Sequence, residues 1–389
     1  MRGDTTSLQS IALLTPGIPP YVTGGMQRHS FNLAKHLAQL GVKVDLYHIM
    51  NSGDQTLDDL IGMTAKERRN ITNLAIPWHA GRWPGHYIRS LKRFSRAAYD
   101  LYQTRPPVDF ILAKSLTGWS FVAAKQQGAI LPLIAVNFHG YEMFQPRPTL
   151  YTMIEAAMLR PAFQSHANSA DYVVSYGGRV TDILSERMGI DQSRIIEIPG
   201  GTDPALYAAA PTPTLGKRKF VFLGRYERRK GIEELNASIL RNPNWSERCE
   251  FRFIGAIPSH RRLNLPHVSY TGELRDPDKI QAYLKEADVL LCPSHAEGMP
   301  NVIMEGMAAG LAIMATDVGA VRLLVSEDNG IVLPLSSCEA ISIAVENFLT
   351  MPDEALDHLK RTSHDRIRGF FWPAIAELTR ATLSNLLTS

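Results

Sequence analysis

The chain has 389 residues, of which 45% are hydrophobic and 20% charged, and its formal net charge is +3. This length exceeds what one hydrophobic core ordinarily serves and predicts two domains. The near balance of charge argues against general binding of nucleic acid, so a charged partner would have to meet a local patch.

The chain contains three cysteines, Cys249, Cys292 and Cys338, far apart and without C-x-x-C spacing. This usage indicates a reducing compartment and argues against structural zinc. The apolar run at residues 11–14 is too short for a signal peptide, and no segment approaches transmembrane length. We therefore expect a cytoplasmic protein, either free or peripheral on the inner face of the membrane.

Short apolar runs alternate with longer helical patterns along the chain, which is typical of doubly wound parallel sheets. The first series predicts strands at residues 11–15, 42–48, 108–113, 132–136, 172–175 and 195–198. The second series predicts strands starting at Phe220 and at residues 251–254, 267–270, 289–292 and 311–315. Residues 200–216, rich in Pro, Gly and Ala, indicate a linker between the two series.

A glycine pair, Gly24 and Gly25, follows the first predicted strand and opens a helix. Glycines let backbone N–H groups approach an anion closely, which favours a phosphate contact. A flexible entry turn explains the pair equally well when it is taken alone.

Residues 86–102 predict an amphipathic helix. Its cations are Arg89, Lys92, Arg93 and Arg96, its apolar side carries Leu91 and Phe94, and Trp78, Arg82 and Trp83 precede it. One interpretation is that residues 82–102 bind an anionic membrane surface. The other is an ordinary surface helix that covers the N-terminal sheet.

His139 and Glu142 follow the predicted strand at residues 132–136, and ligands of parallel sheets bind beyond the carboxyl ends of strands. An imidazole placed there can hydrogen-bond a substrate hydroxyl. The alternative is a structural histidine.

Two cations, Arg225 and Lys230, follow the strand that starts at Phe220. A fixed guanidinium and ammonium in a partly dry cleft stabilise a leaving diphosphate better than water does. The alternative is a basic surface turn, and we assign that description to Arg228 and Arg229.

Glu297 and Glu305 stand eight positions apart. A helix beginning near Asn301 would carry Glu305 on its second turn and leave Glu297 in the preceding loop. Carboxylates accept hydrogen bonds from sugar hydroxyls, while the free N–H groups of Met299, Asn301 and Val302 favour phosphate. This arrangement suits a sugar joined to phosphate, although the bare spacing also occurs on solvated helix faces.

The segment Asp276-Pro277-Asp278 has the form of a metal-binding D-x-D motif. Its position favours a helix start instead, with Asp276 as the N-cap and Pro277 in the first turn. The histidines show no H-E-x-x-H or clustered ligand spacing, and we expect no catalytic metal.

The stretch at residues 287–318 resembles, nearly residue by residue, the E-x7-E segment of the retaining glycosyltransferases of family 4. The segment at residues 220–231 resembles that family's G-R-x4-K-G motif, and residues 199–203 resemble its hinge. The chain departs from the family pattern at Leu323, where a glutamate is usual, and Arg322 beside it is either an anion contact or an exposed surface residue.

This resemblance implies an α/β protein of the GT-B fold, in which two Rossmann-like doubly wound parallel-sheet domains face each other across a cleft. It implies an acceptor domain at residues 1–200, a nucleotide-sugar donor domain at 201–370, and a helix at 371–389 that packs back on the first domain. In such an enzyme Arg225 and Lys230 hold the diphosphate, Glu297 positions the sugar and His139 faces it. The implied donor-binding residues are Gly24, Gly25, Gly298, Met299, Asn301, Val302 and Glu305.

The activity implied is retaining, metal-independent hexosyl transfer from a UDP or GDP sugar, used as co-substrate without a further cofactor. The acceptor would be a hydroxyl of a glycan or a lipid-linked molecule in cell-envelope polysaccharide, lipopolysaccharide or glycolipid assembly. The alternatives are a GT-B nucleotide-sugar epimerase or phosphorylase, and a non-catalytic sugar-nucleotide-binding module.

Overall fold

The computed structural model describes residues 7–22, 24–50, 62–78, 85–145, 149–207, 210–274 and 276–388. These residues form two parallel sheets, one of seven strands and one of six, each covered by helices on both faces. The predicted fold class is confirmed.

The first sheet has the strand order β3-β2-β1-β4-β5-β6-β7. Its strands are β1 Ser10–Thr15, β2 Lys43–Met50, β3 Ile71–Pro77, β4 Phe110–Lys114, β5 Leu133–Asn137, β6 Tyr172–Ser175 and β7 Ile195–Glu197. Its helices are α1 Gly25–Gln39, α2 Ala65–Arg69, α3 His86–Tyr102, α4 Trp119–Gln126, α5 Leu150–Ser169 and α6 Arg179–Asp182. The order reverses between β1 and β4, and a crevice at such a reversal is where open α/β sheets bind ligands.

The second sheet has the strand order β10-β9-β8-β11-β12-β13 and reverses between β8 and β11. Its strands are β8 Arg218–Leu223, β9 Cys249–Ile254, β10 Val268–Gly272, β11 Val289–Cys292, β12 Ala312–Thr316 and β13 Gly330–Leu333. The remaining helices are α7 Ile232–Arg241, α8 Trp245–Arg248, α9 Pro277–Lys285, α10 Asn301–Ala308, α11 Val321–Leu324, α12 Cys338–Thr350, α13 Asp353–Arg366 and α14 Trp372–Thr388.

The predicted strands agree with the observed ones to within about two residues, but the sequence patterns missed β3 and β13. Both are edge strands. An edge strand has one neighbour and tolerates polar residues, so Thr72 and Asn73 interrupt the apolar run of β3. β13 begins with Gly330, a residue type that is disfavoured in strands, which leaves only three apolar residues as a pattern.

The chain crosses between the sheets twice, and the two crossings are hydrogen-bonded to each other. Thr202 N donates to Phe370 O at 2.8 Å, and Trp372 N donates to Thr202 O at 3.0 Å. Beyond this point α14 packs on α1, and Trp372, Ile375 and Leu383 join the core beneath the first sheet. The domain boundary at residues 200 and 201 stays a prediction.

The apolar side of α3 faces the protein. Leu91, Phe94 and Ala98 are buried in the core of the first sheet, whereas the four cations are exposed. The apolar side is therefore not available to a membrane, and any membrane contact of α3 would rest on its cations. Arg82 and Trp83 lie outside the described residues, and no helix among the described ones is long and apolar enough to span a bilayer.

Candidate active site

The predicted site residues come from the carboxyl ends of strands in both sheets. The turn at Gly24 and Gly25 follows β1, and His139 follows β5. Lys230 lies in the segment after β8, and Glu297 lies between β11 and α10. Since the two sheets face each other there, residues far apart in sequence meet in one cleft.

Gly231 lets the segment after β8 approach the end of β11. Its φ of 69° is left-handed, and a Cβ at this position would lie 1.8 Å from Pro293 O, which excludes any side chain. This close approach brings the preceding residue, Lys230, to the loop that carries Glu297.

The Glu297 carboxylate is buried and held by three donors. Lys230 Nζ lies 2.6 Å from Glu297 Oε1, and Ser294 Oγ donates to the same oxygen at 2.8 Å. Arg229 Nη1 lies 3.5 Å from Oε2. Burial acts to raise the pKa of Glu297, but Lys230 and Arg229 outweigh it and the net pKa is lowered, so the carboxylate stays ionised.

Arg229 is therefore a residue that the sequence interpretation placed wrongly. It was assigned to an exposed basic turn, yet it pairs with Glu297 and approaches Glu142 of the N-terminal half at 4.0 Å. Arg225, in contrast, is not brought to Glu297. Its side chain is 76% exposed and pairs with Glu227 at 2.6 Å.

Helix α10 begins at Asn301, as predicted. Among the described residues, the backbone N–H groups of Met299, Asn301 and Val302 donate no hydrogen bond, so this helix end is free to meet an anion. Glu305 lies one turn further along and is half-buried. Burial raises its pKa to about 7, against the opposing effect of Arg28 and Lys230.

His139 is held in a left-handed backbone conformation, with φ of 66°. Its N–H donates to Asn137 Oδ1 at 2.8 Å, and its Nδ1 is hydrogen-bonded to the Tyr176 hydroxyl. Burial, and secondarily the charge of Lys114, lowers its pKa to about 3, so the imidazole is neutral. The Nε2 atom of His139 faces Gly25. A Cβ atom added to Gly25 would lie 3.7 Å from this nitrogen.

Gly25 also faces α10 across the cleft, because the same added Cβ would be 3.7 Å from Asn301 Nδ2. The glycine turn, His139 and the start of α10 therefore surround one space. Gly24 is extended, with φ of 175°, and precedes the first residue of α1.

The two halves touch at Gly298. A Cβ there would lie 2.9 Å from both His139 O and Gly140 Cα, so a side chain would push the N-terminal loop away. Gln145 joins the same contact: its Nε2 donates to Gly140 O and to Glu297 O, each at 2.6 Å, and its Oε1 accepts from Glu297 N at 3.2 Å. Sequence patterns gave no signal for Gln145, which is buried.

Where the sequence departs from the family pattern, Arg322 forms an ion pair at 2.9 Å with Asp317. Arg179 of the N-terminal half reaches the same carboxylate oxygen at 3.0 Å. Arg322 is 59% exposed, and Leu323 also lies at the surface. Arg322 thus meets a carboxylate of the protein itself.

Asp276 caps α9 as predicted, because its side chain accepts a hydrogen bond from Asp278 N at 3.0 Å and Pro277 is the first residue of the helix. Capping accounts for the D-x-D pattern.

Two family models match the chain. Residues 23–206 match "Glycosyltransferase Family 4", and residues 217–351 match "Glycosyl transferases group 1". The teichuronic acid biosynthesis glycosyltransferase TuaC of Bacillus subtilis is 30% identical over 134 residues, which are 34% of this chain and 33% of that protein. The phosphatidyl-myo-inositol mannosyltransferase of Mycolicibacterium smegmatis is 29% identical over 203 residues, which are 49% of this chain and 51% of that protein. The chain thus spans a third to a half of these relatives.

Among solved structures, the sucrose-phosphate synthase of Thermosynechococcus elongatus has the same fold. The two structures superpose with a TM-score of 0.75 at 21% sequence identity. The match covers 98% of this chain and 99% of the synthase chain. The two family matches together take in every strand except β1, and both glutamates of the cleft. The chain belongs to family 4 of the glycosyltransferases.

Proposed function

We propose that this chain transfers a hexosyl group from a UDP or GDP sugar to a hydroxyl of a glycan or lipid-linked acceptor, with retention and without a metal. The observation that carries this proposal is the ion pair of half-buried Lys230 and buried Glu297, joined at 2.6 Å beside the start of α10. A carboxylate for sugar hydroxyls and cations for a diphosphate therefore lie side by side.

Lys230 and Arg229 supply the positive charge that a leaving diphosphate requires. Glu297 fixes both cations before substrate binds, and fixed charges in a partly dry cleft stabilise developing charge without reorganisation. The free N–H groups at the start of α10 add the positive end of a helix dipole. Arg225, which is exposed and pairs with Glu227, would join them by turning inward when the diphosphate binds.

The carboxyl of Glu305 and the imidazole of His139 serve the hydroxyls of the donor. Glu305 accepts hydrogen bonds from the ribose, and neutral His139 bonds a sugar hydroxyl through Nε2 while Nδ1 is occupied by Tyr176. Glu297 positions the transferred sugar.

Retention without a covalent intermediate is supported by the state of Glu297. Its Oε1 accepts hydrogen bonds from Lys230 and Ser294, its Oε2 lies 3.5 Å from Arg229, and the carboxylate stays ionised as the partner of the two cations. A carboxylate so engaged is a poor nucleophile. We therefore assign attack of the acceptor hydroxyl to the face that the diphosphate leaves, within an ion pair.

The acceptor enters from the N-terminal half, which we place against an anionic membrane in cell-envelope glycan or glycolipid assembly. Helices α3 and α5 follow strands β3 and β5, so both begin on the side of the first sheet where its strands end. α3 exposes its cations there, and α5 exposes Leu150, Met153, Ile154 and Met158. Exposed cations on α3 and exposed apolar side chains on α5, two helices that both pack against α4, suit a bilayer surface.

Thermal unfolding with a panel of nucleotide sugars tests the donor site. A bound donor at a hundred times its dissociation constant should stabilise the protein by about 2.7 kcal/mol. NMR analysis of the product made from the stabilising donor should then show a new glycosidic bond of unchanged anomeric configuration. Epimerised donor, a sugar phosphate, or binding without turnover would each reject the proposal in favour of another activity.

A further inference from the structure

Three buried side chains with hydrogen-bond donors lie at the carboxyl edge of the first sheet. Lys114 ends β4, Asn137 ends β5, and these two residues are register partners in adjacent parallel strands. Side chains alternate along a strand, so Lys114 lies on the same face as Phe110 and Leu112. Those two pack in the core that includes α1, the helix that bears His29.

The three residues surround the inner side of His139. The ring centroid of His29 lies 6.0 Å from that of His139 and 5.7 Å from that of Tyr176. The charge of Lys114 lowers the pKa of both histidines, second to the effect of burial. We call Lys114, Asn137 and His29 the donor cluster.

All three side chains are buried, and those of Asn137 and His29 carry nitrogens without a hydrogen-bond partner among the described residues. Lys114 is 1% exposed, Asn137 0% and His29 7%. Asn137 Nδ2 and both ring nitrogens of His29 are without hydrogen-bond partners in that part of the chain. Burial lowers the pKa of Lys114 to about 7, with no described carboxylate opposing it.

Buried donors without acceptors, and above all a buried ammonium without a counter-charge, oppose folding. Such groups are retained where a ligand supplies what is missing. The missing partner here has to be negative and rich in lone pairs, because the cluster offers an ammonium, an amide NH₂ and an imidazole N–H.

The position of the cluster also favours a ligand. Lys114 lies next to the reversal of strand order between β1 and β4, the point where open parallel sheets bind ligands. It belongs to the half of the molecule to which we assign the acceptor, whereas the cations for the diphosphate come from the segment after β8.

We propose that Lys114, Asn137 and His29 form a subsite for an anionic group, a carboxylate or a phosphate, that the acceptor carries near its reacting hydroxyl. This inference rests on the proposed function and narrows the acceptor to acidic sugars and phosphorylated alcohols. His139 lies between this subsite and the donor sugar.

Thermal unfolding separates this inference from the proposed function. UDP and GDP are added first, each at saturation, so that stabilisation by one of them tests the donor site and blocks it. Inorganic phosphate or acetate is added next, with chloride as the control for ionic strength. Phosphate, acetate or both should raise the unfolding temperature further in the wild type, and which of them does so distinguishes a phosphate group from a carboxylate.

Two variants locate that second shift. Lys114→Met removes the charge and His29→Phe removes the ring nitrogens, and both should abolish the shift from phosphate or acetate while keeping the shift from nucleotide. Lys114→Met should also unfold at a higher temperature without ligand, since it removes a buried charge. If Lys114→Met fails to fold, His29→Phe carries the test.

Steady-state kinetics of Lys114→Met distinguish an acceptor subsite from a role at the diphosphate. With an acidic acceptor, Lys114→Met should raise the acceptor KM about tenfold or more and leave the donor KM unchanged. A raised donor KM would instead assign Lys114 to the diphosphate and overturn the inference. No second shift in the wild type, or an equal shift in both variants, would also overturn it.

Discussion

The side-chain amide of Gln145 pairs with the peptide group of Glu297 across the cleft. Gln145 Oε1 accepts from Glu297 N at 3.2 Å, and Gln145 Nε2 donates to Glu297 O at 2.6 Å. Because Glu297 is also the partner of Lys230, this pairing connects closure of the two halves to the position of the proposed catalytic carboxylate.

Gln145→Glu should weaken catalysis by disturbing that closure. It replaces a donor that faces Gly140 O and Glu297 O with an oxygen, and unmade buried hydrogen bonds of this kind lower kcat/KM by about ten- to hundredfold. Small-angle scattering should report a more open molecule. Gln126→Glu, at an exposed position on α4, is the control, and an equal effect in both variants would contradict this role.

Lys230→Ala should lower kcat by about two to three orders of magnitude, because the leaving diphosphate loses a fixed positive charge. Circular dichroism should show an intact fold, and Lys279→Ala on the exposed side of α9 should behave as wild type. Normal turnover in folded Lys230→Ala protein would remove the role assigned to this lysine.

Donor affinity should rise with pH through the ionisation of Glu305. Its pKa is raised to about 7, so below that pH the carboxyl is protonated in the free protein and must lose its proton to accept ribose hydroxyls. Each pH unit below the pKa then weakens donor binding by up to about tenfold. A nucleotide sugar is the right probe, because its diphosphate has no ionisation near neutral pH.

Calorimetry in buffers of different ionisation enthalpy should detect the proton that is released on binding. Glu305→Gln should flatten the pH dependence, whereas Lys114→Met, which removes another group with a pKa near 7, should keep it. The same slope in Glu305→Gln protein would assign the proton to a different group.

Activity should survive excess EDTA, since Lys230, Arg229 and the start of α10 supply the charge that a divalent ion provides in other transferases. The assay compares initial rates before and after chelation. Loss of turnover that magnesium or manganese restores would reject metal independence.

Changing Arg89, Lys92, Arg93 and Arg96 together to glutamine should abolish sedimentation with anionic vesicles. Each cation contributes about 1 kcal/mol of binding free energy near such a surface. Added salt should therefore weaken vesicle binding by the wild type. Turnover of a short soluble acceptor should be spared.

The control for this experiment carries glutamine at four exposed cations of the C-terminal half, Arg241, Lys279, Lys285 and Arg361. It should bind vesicles like the wild type. If both variants bind equally well, or the wild type does not sediment, α3 is a solvated surface helix.

Local patterns predicted the features that depend on near neighbours in the chain. The strands of both sheet interiors, the start of α10 at Asn301 and the cap at Asp276 follow from periodicity, helix-end chemistry and proline placement. Strands β3 and β13 were missed, because polar residues interrupt the apolar run of β3 and a glycine begins β13. The spacing of the two glutamates and of the two cations can also be read from the sequence, and it correctly predicted the glycosyltransferase family.

Only the tertiary structure decided which groups meet in the cleft. Arg229 rather than Arg225 contacts Glu297, because Gly231 allows a backbone approach that side-chain patterns do not encode. The pairing of Gln145 with Glu297 and the donor cluster likewise bring together residues that lie far apart in the sequence. The sequence thus determined which chemical groups were available, while sheet topology and backbone approach determined their partners, since contact across the cleft depends on how two sheets face each other.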